Sequence, residues 1–194
     1  DGRALRIIKE FHSLPPEWIR ALADKFLRFF APHKHKVVKF YYDRSGNNYK
    51  GSNQSIANQI KAAIERDATG QATGWHVQLM SIGQGNIPMS DEYVFMRELM
   101  IGHNPRLPEL LIDAIHCRNL KASLELAKTT VDSKGRIGKD KGAEKSTDPR
   151  RLVTSTNFSD AFKYMIMRKE WVAIVKRQLA FGLPAGEAGD VSVR

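Results

Sequence analysis

Two aspartates occupy positions from which a side chain can do chemistry. Asp43 ends the run Lys36-Val-Val-Lys-Phe-Tyr-Tyr-Asp, and the loop Arg44-Ser-Gly-Asn-Asn follows it. β-Branched and aromatic residues in such a run form a buried strand. A carboxylate at its carboxyl end is placed to hold a hard divalent cation such as magnesium, which takes one or two carboxylates plus water and substrate phosphate. The same residue also suits an Asx turn, in which it accepts hydrogen bonds from its own loop. Asp160 lies in Asn157-Phe-Ser-Asp, at the opening of a helical pattern that runs to about Leu179. With Asn157 as N-cap, Asp160 is the third helical residue, where an acid closes a capping box and complements the helix dipole. The alternative is that this turn aims the carboxylate at a cleft while Phe158 and Phe162 pack the helix.

Other polar groups carry weaker signals. Lys139-Asp-Lys-Gly-Ala-Glu-Lys145 is dense in charge, and its lysines suit either phosphate contacts or a solvated loop. It is not a nucleotide-binding loop, because position 143 is Ala and no strand leads into a glycine-rich turn. His33 and His35 sit beside lysines, with no thiol or carboxylate at zinc-binding spacing. Cys117 follows His116, but adjacency in sequence does not make a nucleophile and its base. Tyr41 and Tyr42 read as sheet packing rather than as base stackers.

The elements that must position these residues follow from periodicity. Residues 3–13 suit a strand, stopped by Pro15-Pro16. Trp18, Leu22, Phe26 and Phe30 recur every fourth residue and predict an amphipathic helix over 16–30. A strand over 36–43 is followed by a helix over 53–67, capped by Ser52, with Ile56, Ile60 and Ile64 as its stripe. Next come a strand over 74–82, a helix over 91–101 capped by Ser90, a strand over 110–115 and a helix over 118–128. Residues 129–139 have the form of a hairpin with Ser133-Lys-Gly135 at its tip. The alternation predicts an α/β fold with a mostly parallel sheet, helices on both faces, and a site outside the carboxyl ends of the strands.

Composition bounds the class. The chain has 194 residues, 42% of them hydrophobic, enough for one domain with a real core. Its net charge of +10 argues against an acidic calcium buffer and for a polyanionic partner. The charge is uneven, with 11 basic against 5 acidic groups in residues 1–50, 4 against 7 in 51–117, and 10 against 5 in 118–151. One cysteine rules out an internal disulfide. No signal peptide is visible at the charged start Asp1-Gly2-Arg3, and no apolar run reaches membrane-spanning length. These features suit a piece of a longer chain used in a reducing cytosol without a membrane. Residues 1–182 form the expected domain and 183–194 a frayed tail.

Taken in order, several segments resemble the nuclease domain of tailed-phage terminase large subunits. They are Lys36-Val-Val-Lys-Phe-Tyr-Tyr-Asp-Arg-Ser-Gly-Asn, Gly74-Trp-His-Val, Ser81-Ile-Gly-Gln-Gly, Lys139-Asp-Lys-Gly-Ala-Glu-Lys and Thr156-Asn-Phe-Ser-Asp-Ala-Phe-Lys-Tyr164. The resemblance runs from about residue 3 to residue 168. It implies a ribonuclease H-like mixed sheet flanked by helices, with the 129–139 hairpin added. It also implies cutting of double-stranded DNA during genome packaging, using two divalent ions, Mg²⁺ or Mn²⁺. The family's acid after the central strand matches Asp43, and its acid at the start of the last helix matches Asp160. Asn157 is a further candidate ligand. Lys134, Arg136, Lys139, Lys141, Lys145 and Arg44 are the expected contacts to the DNA backbone, and Glu144 lies among them without an assigned role. The family's first-strand acid has no counterpart here, since Asp1 belongs to a turn and Glu10 to mid-strand, so the first strand, and with it the second, is expected upstream. The resemblance further implies an ATPase motor domain, a portal and a small terminase subunit as partners of the parent protein in the host cytoplasm. An alternative is a catalytically inactive module of the same fold that grips DNA or the portal.

Overall fold

The computed structural model describes residues 4–13, 18–43, 54–81, 89–126, 129–131, 133, 137–139, 142 and 156–180. In chain order the strands are β1 (Ala4–Ile7), β2 (Val37–Phe40), β3 (His76–Leu79), β4 (Glu109–Ile112), β5 (Thr129–Val131) and β6 (Ile137–Lys139). The helices are α1 (Ile19–Phe29), α2 (Ile56–Glu65), α3 (Met89–Ile101), α4 (Arg118–Leu126), α5 (Asn157–Ile166) and α6 (Lys169–Ala180). The chain is therefore mixed α/β, as its alternating pattern predicts.

The sheet departs from expectation. The described strands pair as three two-stranded ladders rather than one sheet. β1 lies parallel to β4, β2 lies parallel to β3, and β5–β6 form the antiparallel hairpin expected over 129–139. The pairing of β1 with β4 passes over β2 and β3, against the tendency of sequential strands to be neighbours. The reason is the core each pair covers. Leu5 and Ile7 of β1, with Leu110 and Ile112 of β4, pack on a cluster centred on Phe95, Leu99, Phe162 and Ile166. β2 and β3 cover a second, smaller cluster of Ala23, Ile64, Trp75 and Val77.

The outer edge of β3 is closed by side chains. Every second peptide of β3 faces β2, as in His76 N–H to Lys36 O at 2.7 Å and Met80 N–H to Phe40 O at 2.9 Å. The peptide of Val77 faces the other way. Its N–H donates to Glu65 Oε1 at 2.8 Å, and its carbonyl accepts from Lys61 Nζ at 2.8 Å. Lys61 and Glu65 are an i,i+4 ion pair on α2, so the helix supplies both partners that a neighbouring strand would otherwise supply. Burial raises the Glu65 pKa, but the Lys61 and Val77 hydrogen bonds outweigh it and hold the carboxyl below its ordinary value.

Several boundaries move from their sequence-based positions. The strand expected over 3–13 ends at Ile7. Beyond it Glu10 turns to the start of α4 and accepts from Asn119 N–H at 3.0 Å, Leu120 N–H at 2.8 Å and Asn119 Nδ2 at 2.7 Å. A carboxylate there satisfies free helix donors and complements the dipole, which outweighs the strand pattern. α2 begins at Ile56, capped by Ser55 Oγ accepting from Asn58 N–H at 3.3 Å, and the expected cap, Ser52, lies outside the described residues. Ser90 falls inside α3 instead of capping it. Gly102 closes α3 with φ +73°, a left-handed position that costs glycine little. The single helix expected over 157–179 is broken at Met167–Arg168 into α5 and α6. The Arg168 guanidinium lies over both the Trp171 ring (4.6 Å) and the Tyr41 ring (4.9 Å), so the break lets one cation clamp α6 to the end of β2.

Candidate functional site

The carboxyl end of β2 meets the first two turns of α5. Tyr42 N–H donates to the buried Ser81 Oγ at 3.0 Å, which ties the end of β2 to the chain two residues after β3. Tyr41 is held by Arg168. One residue further on, Asp43 Oδ2 accepts a 3.0 Å hydrogen bond from the Tyr164 hydroxyl. Tyr164 stands four residues after Asp160 on α5, and Lys163 stands three after it, so all three share one helix face.

Asp160 therefore lies beside the same phenol that Asp43 accepts from. The helix begins one residue earlier than a cap at Asn157 requires. Thr156 is the N-cap, without a side-chain cap bond, and Asn157 is the first helical residue, exposed. Asp160 moves to the fourth helical position, past the one that closes a capping box. Its carboxylate, 14% exposed, is 3.7 Å from Lys163 Nζ. Phe162 is buried and Phe158 half-buried against the larger core, so the helix packs through the residues flanking Asp160.

A third acid joins them. Glu92, in the first turn of α3, is 3.1 Å from the same Lys163 Nζ. Next to it Asp91 pairs with Lys176 of α6 at 2.5 Å, fixing how α3 lies against α6. Burial, the hydrogen bond to Asp43 and the charges of Asp43, Asp160 and Glu92 push the Tyr164 phenol well above its ordinary pKa. It stays a neutral donor throughout the physiological range. Asp43 thus accepts from a tyrosine that also feels the charge of Asp160, 117 positions away in sequence, and an ammonium sits between Asp160 and Glu92.

Glu92 and Lys163 escape a sequence reading for different reasons. Lys163 and Tyr164 carry a signal, the i+3 and i+4 spacing from Asp160. Glu92 carries none, because an acid in a helix's first turn is the ordinary partner of the helix dipole. Of the expected DNA contacts, Lys139 closes β6 opposite Thr129. Arg44, Lys134, Arg136, Lys141, Lys145 and Glu144 lie outside the described residues.

The remaining candidates are structural. Cys117 is fully buried and its thiol lies 3.6 Å from Ile7 O. Burial, with the charges of Glu10 and Asp113, pushes that thiol above its ordinary pKa, the opposite of what a nucleophile needs. His33 stacks on Trp75 with its Nδ1 2.8 Å from His35 O. Tyr42 stacks on Phe40 with centroids 5.1 Å apart. Among the described residues no group of three or more His, Cys, Asp or Glu stands close enough to enclose one ion, and no helix is long and apolar enough to cross a membrane.

No family model, curated protein or solved structure matches the chain.

Proposed function

We propose that this chain is the ribonuclease H-like nuclease domain of a phage terminase large subunit, a divalent-metal-dependent enzyme that cuts double-stranded DNA. The observation that carries this reading is the meeting of Asp43 and Asp160 at Tyr164, from segments remote in sequence. The ordered resemblance of the flanking segments and the net charge of +10 support it further.

The donor set suits the metal the reading needs. Asp43, Asp160 and Glu92 offer only hard carboxylate oxygens, and an ammonium already rests on two of them, so the place attracts cations. A magnesium-type ion takes one or two carboxylates and fills the rest of its shell with water and phosphate, so Asp43 and Asp160 would not have to enclose it. Bound divalent ions supply a water of lowered pKa and stabilise the leaving oxygen of a phosphodiester. Asp43 and Asp160 would be the ligands. Tyr164 orients Asp43 by its hydrogen bond, and Arg168 holds the strand end in place. Lys163 keeps Glu92 and Asp160 compatible when no metal is bound.

The test is incubation of supercoiled plasmid with the protein. Mn²⁺ or Mg²⁺ should produce nicked and linear DNA, and EDTA should prevent it. Plasmid left intact with both ions, by this chain and by a longer one extended upstream, points instead to a module of the same fold that grips DNA or the packaging portal. A second expectation concerns Lys163. If ammonium and metal share the carboxylates, Lys163→Met should bind Mn²⁺ about tenfold more tightly, measured by calorimetry in the absence of DNA. Unchanged affinity would show that the two cations do not compete.

A further inference from the structure

A groove of about 380 Å³ opens between the stretch after β1 and the exposed side of α1. Its walls carry Lys9 from one side, and Lys25 and Arg28 from the other, with Phe11 and Phe29 between. Lys25, Arg28 and Phe29 are spaced i, i+3 and i+4, so they share one face of α1. Lys25 Nζ donates to His12 O at 2.9 Å, which fixes one of its three donors and holds the ammonium at the groove. Lys9 Nζ lies 5.7 Å from the centroid of Phe29. Glu10 also lines the groove, but its two oxygens take three hydrogen bonds from the start of α4.

The cations of this groove are not balanced by ion pairs. Arg20, Lys61, Lys121, Lys163 and Lys176 each have a carboxylate within ion-pair distance. Among the described residues Lys9, Lys25 and Arg28 have none. Three uncompensated cations in a concave surface are the electrostatic footprint of a polyanion. Beside the groove, the His12 ring packs edge-on against Phe158 of α5 at 5.7 Å.

We propose that the groove of Lys9, Lys25 and Arg28 is a binding track for the phosphate backbone of double-stranded DNA, separate from the acid pair. The choice of DNA as the polyanion rests on the nuclease reading above. Contacts of this kind fix the position of the duplex and carry no sequence information. They also need no metal, which lets the two ideas be tested apart.

The experiment measures fluorescence anisotropy of a short mixed-sequence duplex in EDTA, over a series of salt concentrations. The variant Lys9→Gln/Lys25→Gln/Arg28→Gln should bind about tenfold or more weakly at ~0.1 M salt, and its plot of log K against log[salt] should be shallower by about 2 to 3. A control that removes three exposed charges elsewhere, Arg97→Gln/Arg106→Gln/Lys121→Gln, should keep close to the original affinity. Wild-type binding by the groove variant, or an equal loss in the control, would overturn the proposal. If the triple variant fails to fold, each single substitution decides, with an expected change in slope of about 1. The nuclease reading fails on a different result, an uncut plasmid with Mn²⁺, whatever the affinity in EDTA.

Discussion

Asp43→Asn and Asp160→Asn are each expected to lower Mn²⁺-dependent plasmid cleavage by about 10²- to 10⁴-fold, with the fold retained. The size follows from the several kcal/mol by which metal ions stabilise charge in a phosphoryl transition state, at about 1.4 kcal/mol per decade of rate. Retention of the fold follows from the contacts. The amide oxygen of an asparagine at 43 still accepts from the Tyr164 hydroxyl, so the link between β2 and α5 survives. An asparagine at 160 loses its attraction for Lys163, but that ammonium keeps Glu92 at the shorter distance of 3.1 Å. Calorimetric Mn²⁺ titration should weaken in step with cleavage. Either variant cutting at the wild-type rate would remove its aspartate from the site.

Phe95→Ala should be the most damaging core substitution, costing about 3–5 kcal/mol of stability. Phe95 is 0% exposed at the centre of the larger cluster, where α3 meets the helices that follow. For a chain of 194 residues this corresponds to a fall in Tm of roughly 6–20 °C. The same change has a local reading, because Phe95 lies one turn after Glu92. A loosened α3 leaves the Lys163 ammonium to Asp160 alone, where it competes with the metal, so the variant should also lose Mn²⁺ affinity at temperatures where it is still folded. Tyr93, two residues away and 71% exposed, is the control, and Tyr93→Ala should change stability by less than about 0.5 kcal/mol. Equal melting temperatures for the two variants would contradict the assignment of the core.

Periodicity marked most of the elements. The i, i+4 stripe from Trp18 to Phe30 gave α1, and the β-branched run before Asp43 gave β2. These patterns are local consequences of which side of an element is buried. Glu10 shows where such reasoning stops. It sits in a run that reads as strand, yet its carboxylate binds α4 at a sequence distance of more than one hundred residues. A side chain that satisfies helix donors from so far away leaves no periodic trace. Arg168 is similar. The helical pattern continues through it, and only the rings of Tyr41 and Trp171 explain why the helix breaks there.

The sequence by itself determined the α/β class, the hairpin, the excess of positive charge and the two aspartates at element ends, because each depends on residue type and near neighbours. Which strands pair, that Asp43 accepts from Tyr164, that Glu92 and Asp160 meet at Lys163, and that three cations without an ion pair line one groove were decided only by the tertiary structure. Those facts depend on which distant segments bury the same apolar surface, and the chain carries that information only in the sum of its packing.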